Sequence, residues 1–522
     1  MSQEFHYDGP MHRPWEGEPS FQEVLAEQLK KAPWLLISLA GHILVGAFFV
    51  LLSRLEPDEP PPPPPPPISA ATQTEDQIEE TPPEEQPQEE QVTEEVTEVT
   101  EVQTDNEMET AEEQGEEGES ESYEGGDFNF EGAGMGGGRG GKRGGRFGGG
   151  KKASGGGGAG TENSVEDGLR WLKNHQDEDG KWDSDEFDRH CEGAPCTGAG
   201  SSSHNVGLTG LALLAFLGDG HHPNRKTPYQ RVVRNGVNWL VENMGEGEDD
   251  GLIGGRSGHA FMYDHAIAAL ALCEAYLLSQ QENLRGPAQR AVNFVLRARN
   301  PYKAWRYEAP PNGENDSSVT GWMVFVLKTA QDAGLDIDKA AYEGATSLFD
   351  ELTDSATGRC GYINRGEPPA RPTGKAEKWP AANSESLTAV ALLCRIFMGE
   401  TPKTNPLLDA HAELMLSKLP AWKGEDVTTV DMYYWYYGAF AMFQMGGKYW
   451  EKWNGAMKPA LVATQRKDGH FKGSWDPVDP WGEDGGRIYS TAICVLCLEV
   501  YYRYGQVMDK GGAAPGGPQK PK

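Results

Sequence analysis

The sequence predicts an all-α fold: a closed toroid of six helical hairpins, an (α/α)6 double ring, preceded by one transmembrane helix and a long disordered tether. Three observations lead there. The stretch Gly168 to Trp182 (GLRWLKNHQDEDGKW) sets Trp171, Leu172 and His175 at helical spacing, stops the helix at Asp179-Gly180, and returns Trp182 as a plug against the helix end. The same design recurs as Ala460-Leu461-x-x-x-Gln465 before Asp468-Gly469-His470-Phe471, with weaker copies from Gly236, Ala291 (then Trp305) and Gly344 (then Gly358 to Tyr362). Between these amphipathic helices lie six others that are apolar nearly all round, as buried helices are.

Residues 1–31 read as a polar cytoplasmic segment. Residues 32–52 (APWLLISLAGHILVGAFFVLL) carry no formal charge and match the roughly 20 residues that cross a bilayer. Lys30 and Lys31 precede them, so the positive side stays in the cytoplasm and the rest of the chain is exported. With no small-residue cleavage site following, the span reads as an uncleaved signal anchor in the inner membrane, with the C-terminal domain in the periplasm. Ser38 and His42 stand one turn apart on one face of this span, and intramembrane ionisable residues are costly and often functional.

Residues 53–160 form the tether. Pro57 to Pro67 is a stiff polyproline segment, and Glu75 to Glu124 is too acidic and too poor in apolar residues to fold. The Gly-rich run that follows carries scattered Arg and Lys and reads as a flexible linker. The net charge of −33 argues against a nucleic-acid partner. The seven cysteines are an odd number without zinc-ribbon spacing, and nothing in the sequence points to a metal or a cofactor. Cys273, Cys394, Cys494 and Cys497 read as small core residues. Cys191 and Cys196 share one loop, which leaves a local disulfide open.

The toroid is expected over residues 161–505, with a disordered tail at 506–522. The six apolar helices begin near Asn205, Asp264, Asp316, Ser384, Asp431 and Arg487. Each places a small residue (Gly210, Ala269, Gly321, Ala389, Gly438, Ala492) five positions after a polar start, or seven at Gly438, which allows close helix approach. Strict alternation of buried and amphipathic helices predicts an inner and an outer ring, and a count of six lets the last repeat meet the first.

Gly168-x-x-Trp171-Leu172-x-x-x-Gln176-x-x-x-Gly180-x-Trp182 is similar to the QW repeat of squalene and oxidosqualene cyclases, and the wider pattern resembles the prenyltransferase and squalene-cyclase repeat superfamily. That resemblance implies an α/α toroid and a terpene-cyclase-like cavity. The chemistry of the family does not carry over by motif. Against the cyclase Asp-x-Asp-Asp-Thr-Ala acid motif, Asp316 fits the first position while Ser318 and Val319 replace the two acids. The Asp-x-Cys pair of the zinc prenyltransferases and the Cys-Gly-Glu-Gln of the thioester toroids are both missing from the sequence. Ser38-x-x-x-His42, followed by Pro60 to Pro67 and a Glu/Pro-rich run, resembles the N-terminus of TonB-type energy transducers, which implies contact with a proton-driven motor complex in the membrane.

The starts of the apolar helices supply the candidate site. Asp264, Asp316 and Asp431 are the candidate catalytic acids, with helix capping as the alternative reading. His204, His265, Trp322, Glu385, Tyr434, Arg487 and Tyr489 are the candidate cavity residues; aromatics suit an isoprenoid chain or a sugar ring. Two functions follow as expectations. One is a membrane-anchored extracytoplasmic binding or scaffold module. The other is an enzyme with non-standard catalytic residues acting on an isoprenoid or a glycan.

Overall fold

The computed structural model describes residues 159–191 and 193–503. The span 32–52 with Ser38 and His42, the segment before it, the tether up to residue 158 and the tail 506–522 lie outside the described residues. Twelve α-helices occur within them: α1 (Ala159–Asn174), α2 (Asn205–Gly218), α3 (Gln230–Glu242), α4 (Phe261–Ser279), α5 (Glu282–Arg297), α6 (Ser317–Asp332), α7 (Ala340–Leu352), α8 (Ser386–Phe397), α9 (Leu407–Leu416), α10 (Met432–Met445), α11 (Gly447–Val462) and α12 (Gly482–Arg503). A two-stranded antiparallel hairpin, β1 (Thr353–Asp354) with β2 (Arg359–Cys360), interrupts the loop between α7 and α8.

The even-numbered helices form the inner ring. Each packs on the next, from α2 through α4, α6, α8 and α10 to α12, and α12 packs back on α2. These are the apolar helices, buried over most of their length. Helix α4 is long and apolar enough to cross a membrane by length and composition, yet it is enclosed by its neighbours as a core helix. Gly210 shows why small residues stand in this ring: a Cβ there would lie 2.8 Å from the Ala268 Cα of α4. A side chain at Gly321 would likewise overlap Val390 of α8. Aromatic rings fill the interior between α6 and α10, with Trp322 stacked on Tyr436 at 5.8 Å and Phe325 edge-on to Phe440 at 5.7 Å.

The odd-numbered helices form the outer ring, each packed chiefly on the inner helix that precedes it: α3 on α2, α5 on α4, α7 on α6, α9 on α8, α11 on α10. The first outer helix, α1, packs chiefly on α12. The sequence pairs each amphipathic helix with the apolar helix that follows it; the structure pairs it with the one before. Loop length is the reason. Inner-to-outer links are the shorter ones, from one residue between Met445 and Gly447 to eleven between Gly218 and Gln230, and shorter links make antiparallel neighbours. Outer-to-inner links are long, so all six long loops converge at the N-terminal ends of the inner helices.

The recurring Trp and Gln have defined tasks. The indole N–H of Trp182 donates to Leu172 O, that of Trp305 to Val295 O and that of Trp475 to Leu461 O, each at 2.8 Å. These carbonyls sit in the last turn of their outer helices, where backbone hydrogen bonding runs out. Each Trp backbone N–H is then taken by a threonine of the next inner helix: Thr209, Thr320 or Thr491. In the Gly344 copy, which lacks the returning Trp, Cys360 N–H bonds Thr388 in the same way. Gln176 joins α1 to α3 through Val232 O at 3.0 Å, and Gln465 joins the end of α11 to α1 through Ser164 O at 2.8 Å. The same residue that links neighbouring outer helices therefore also links the two ends of the domain.

Candidate functional site

The mouth of the toroid, at the N-terminal ends of the inner helices, gathers buried acids and half-buried aromatics. Asp316 caps α6, its Oδ1 accepting from Val319 N–H at 2.8 Å, and is fully buried. Its other oxygen lies 3.5 Å from the Tyr362 hydroxyl and 3.7 Å from Arg306 Nε. Burial dominates, and pushes the carboxyl up to about 7. Asp431 caps α10 through Tyr434 N–H at 3.0 Å and pairs with Arg371 at 2.9 Å. Beside it Asp479, which sequence reading did not single out, accepts from Met432 N–H and from the Tyr489 hydroxyl, each at 3.0 Å. Burial, and then the neighbouring Asp431 charge, push Asp479 up to about 7.

Asp264 does not cap its own helix. It stands inside the first turn of α4 and reaches across to α2, 3.3 Å from His204 Nδ1. Burial raises the Asp264 carboxyl although His204 pulls it back, and the same bond raises His204. Glu385 is fully buried at the start of α8, where it grips Arg359 of β2 with bonds of 2.6 to 3.2 Å and takes the Thr388 hydroxyl at 3.2 Å. Each acid of the mouth thus has a structural partner.

Other candidate residues are carried elsewhere. His265 turns outward, its Nδ1 accepting Ile253 N–H at 3.1 Å and its Nε2 at 3.3 Å from Ala291 O of α5. Burial lowers it to about 3, so it is a neutral staple between a loop and the outer ring. Tyr434 also turns outward, to Met415 O at 3.3 Å and the Trp453 ring at 5.3 Å. Trp322 lies in the aromatic interior. Arg487 belongs to the joint between the chain ends, where its Nε bonds Thr197 O at 2.6 Å.

The aromatic lining of the mouth consists of Tyr263, Tyr307, Tyr362, Tyr433, Trp481 and Tyr489, all half-buried. They touch in two groups: Tyr263 against Tyr307 at 6.2 Å with the Tyr307 and Tyr362 hydroxyls against each other, and Tyr433 against Trp481 at 6.2 Å. The Tyr433 hydroxyl meets Ser318 Oγ at 3.0 Å. Desolvation pushes the phenols of Tyr263, Tyr433 and Tyr489 above their usual range although solvent still reaches them. Side chains in that condition line a concavity rather than a convex surface. Trp481 presents a buried indole N–H that meets no acceptor among the described residues.

A second cluster stands apart from the mouth. His175, Cys191 and Cys196 place one imidazole nitrogen and two free thiols within 4.8 Å of one another. Burial lowers His175 to about 4. The sequence offered the two cysteines as neighbours in a loop; the histidine joins them because α1 ends against that loop.

The ring contacts define the class of fold, an α/α toroid. Comparison with sequence-family profiles and with curated proteins finds no match. Among solved structures the chain is similar to a cellobiose 2-epimerase from Bacillus thermoamylovorans (13% identity, 66% of this chain and 98% of that chain, TM-score 0.46). It is also similar to an α-1,6-mannanase from Salegentibacter sp. (11% identity, 65% and 98%, TM-score 0.42) and to a variant of a type II terpene cyclase from Scytonema (12% identity, 66% and 97%, TM-score 0.41). The fold assignment rests on the helix contacts above, and likenesses at 11 to 13% identity add nothing about chemistry.

Proposed function

We propose that the chain is a membrane-anchored extracytoplasmic binding module whose toroid mouth takes a saccharide. The observation that carries this reading is the set of half-buried aromatics at the mouth, completed by the unspent Trp481 N–H. Tyrosine and tryptophan rings stack on the flat faces of sugars, while their hydroxyl and N–H groups bond sugar hydroxyls. A hydrocarbon isoprenoid would leave the buried Trp481 N–H unpaired, at a cost of about 1–3 kcal/mol. The acids of the mouth are committed to caps and ion pairs, which favours holding over turning over.

The test is titration of the full chain with neutral oligosaccharides by calorimetry, alongside Tyr433→Ala and Trp481→Ala. Saturable saccharide binding, weakened at least tenfold in both variants, is expected. Binding of isoprenoid chains with no saccharide heat would overturn the reading.

A second reading has one observation of its own: Asp316 holds a proton near neutral pH beside Tyr362, as a general acid must. If the module turns over its saccharide, Asp316→Asn will abolish turnover and leave binding intact. Equal turnover in the variant removes Asp316 from any catalytic role.

The anchor is part of the proposal. Ser38 and His42 form a membrane face that docks a proton-driven motor complex, with residues 53–160 as the tether between that complex and the toroid. His42→Leu should stay in the membrane and lose in-cell crosslinking to such a complex. A crosslink retained by the variant reduces the span to an anchor.

A further inference from the structure

We propose that His175, Cys191 and Cys196 bind a zinc ion that fixes the loop joining the two ends of the toroid. The donor spacing is the first argument. Cys191 Sγ lies 3.5 Å and Cys196 Sγ 3.9 Å from His175 Nε2. A tetrahedral zinc with Zn–S of about 2.3 Å and Zn–N of about 2.0–2.1 Å needs sulfur and nitrogen about 3.5 Å apart. The three atoms therefore already surround a space of the right size.

The imidazole is set up for ligation. His175 Nδ1 lies 2.7 Å from Trp171 O, the bond of a ring that carries its proton on Nδ1 and keeps the Nε2 lone pair free for a metal. Trp171 stacks on the ring at 4.0 Å and Phe187 meets its edge at 5.9 Å, so its orientation is fixed from two sides. Cys196 N–H points at Cys191 Sγ at 3.4 Å, a bond that stabilises a thiolate. Two thiolates, one neutral imidazole and Zn2+ sum to zero charge, which suits a site where His175 and Cys196 are buried. Cys191 is half-buried, so the site keeps an accessible side for entry and for a fourth ligand. A water molecule would complete the tetrahedron there.

Location gives the ion a purpose. Immediately after Cys196 the loop is held by α12: Thr197 O takes Arg487 Nε at 2.6 Å, Gly198 O takes Arg487 N–H at 2.7 Å, and Ser201 N–H bonds Asp484 O at 2.8 Å. The third ligand, His175, directly follows α1, whose Trp171 bonds His470 O at 2.9 Å. A zinc on these three ligands ties the end of α1 to the loop that grips α12, across the closing joint of the ring.

The experiment measures zinc and cobalt binding to the full chain purified under reducing conditions. One zinc per chain by elemental analysis is expected. Cobalt(II) in its place should give the strong d–d bands of a tetrahedral site and a thiolate charge-transfer band. Cys191→Ser and Cys196→Ser should each weaken zinc binding at least tenfold and remove part of that band. A chelator should lower the Tm of the parent chain and leave that of the double variant unchanged. The other five cysteines are buried in the core, so a thiolate band reports this site. A parent chain with no stoichiometric zinc and no thiolate band overturns the proposal, and that result needs no variant to fold. A Cys191–Cys196 disulfide in natively extracted protein, or zinc binding unchanged in the double variant, overturns it equally.

Discussion

The mouth and the closing joint are both made of buried polar groups, but they spend those groups differently. At the mouth the bonds run within a helix start or between nearby inner helices, the farthest being Ser318 with Tyr433 across 115 residues. Asp316 bonds Val319, Asp431 bonds Tyr434, and Asp479 bonds Tyr489 ten residues on. At the joint the partners come from opposite ends of the domain: Gln465 with Ser164 across 301 residues, Trp171 with His470 across 299, Arg487 with Thr197 across 290. The mouth bonds shape a surface at and between nearby repeats. Distant bonds convert a row of repeats into a ring. An open array of helical hairpins would expose the apolar faces of α2 and α12; here each covers the other, and α1 completes α12 from outside.

The largest expected effect comes from removing the joint altogether. Deleting residues 455–505 removes the end of α11 and all of the described α12, and exposes the apolar flank of α2. The truncated toroid should aggregate or lose its cooperative transition in a thermal melt followed by circular dichroism. A soluble truncation with an unchanged melt would break the contrast between joint and mouth.

A single residue sharpens it. Arg487 is buried and bonds Thr197 O, Ser474 Oγ at 3.0 Å and Asp476 at 2.6 Å. Arg487→Leu strands these acceptors and should cost about 3 kcal/mol in chemical denaturation, the low end for breaking a buried pair, because Asp476 keeps some water.

At the mouth the expected effect is a pH dependence. Unfolded Asp316 ionises near its ordinary 3.8, and folded Asp316 near about 7. Between those values the unfolded chain releases a proton that the folded chain keeps, so the contribution present below pH 4 is lost as pH rises towards 7. Asp316→Asn keeps a good cap and cannot titrate. Its stability should fall less than that of the parent chain between pH 4 and pH 7, measured by urea denaturation at each pH. Parallel curves would mean that Asp316 is ionised throughout.

The smallest effect belongs to neither region. Arg170 is exposed and pairs with Asp167 at 2.9 Å and Glu166 at 3.7 Å along α1. Arg170→Ala should change stability by less than about 0.5 kcal/mol. A larger loss would show that the outer face of α1 carries more of the joint than its packed face.

Much of the fold was legible because the repeat carries its own chemistry. The Trp that returns to its helix end, the Gln that follows it and the Gly or Ala between inner helices each solve a packing or bonding problem that recurs around the ring. The order of pairing was not legible, since it depends on which loop of each repeat is short. The site was legible by height and not by direction. Asp264 and His265 occupy the same level of α4, but adjacent residues lie about 100° apart on a helix, so one faces α2 and the other faces α5. Tyr433 and Tyr434 divide in the same way between the mouth and the outer ring. Helical period alone could have separated these pairs. The His175–Cys191–Cys196 cluster carried no comparable signal, because its spacing of 16 and 5 residues follows no helical or strand period.

Closure of the ring is tested most directly by a distance between its ends. Spin labels at exposed Lys173 on α1 and exposed Lys452 on α11 sit on outer helices that pack against each other. Packed helix axes lie about 8–10 Å apart, so pulsed dipolar spectroscopy should give one narrow, short distribution set by that spacing and the two label arms. A broad or long distribution would mean that the first and last repeats do not meet, and the toroid would have to be redrawn as an open solenoid.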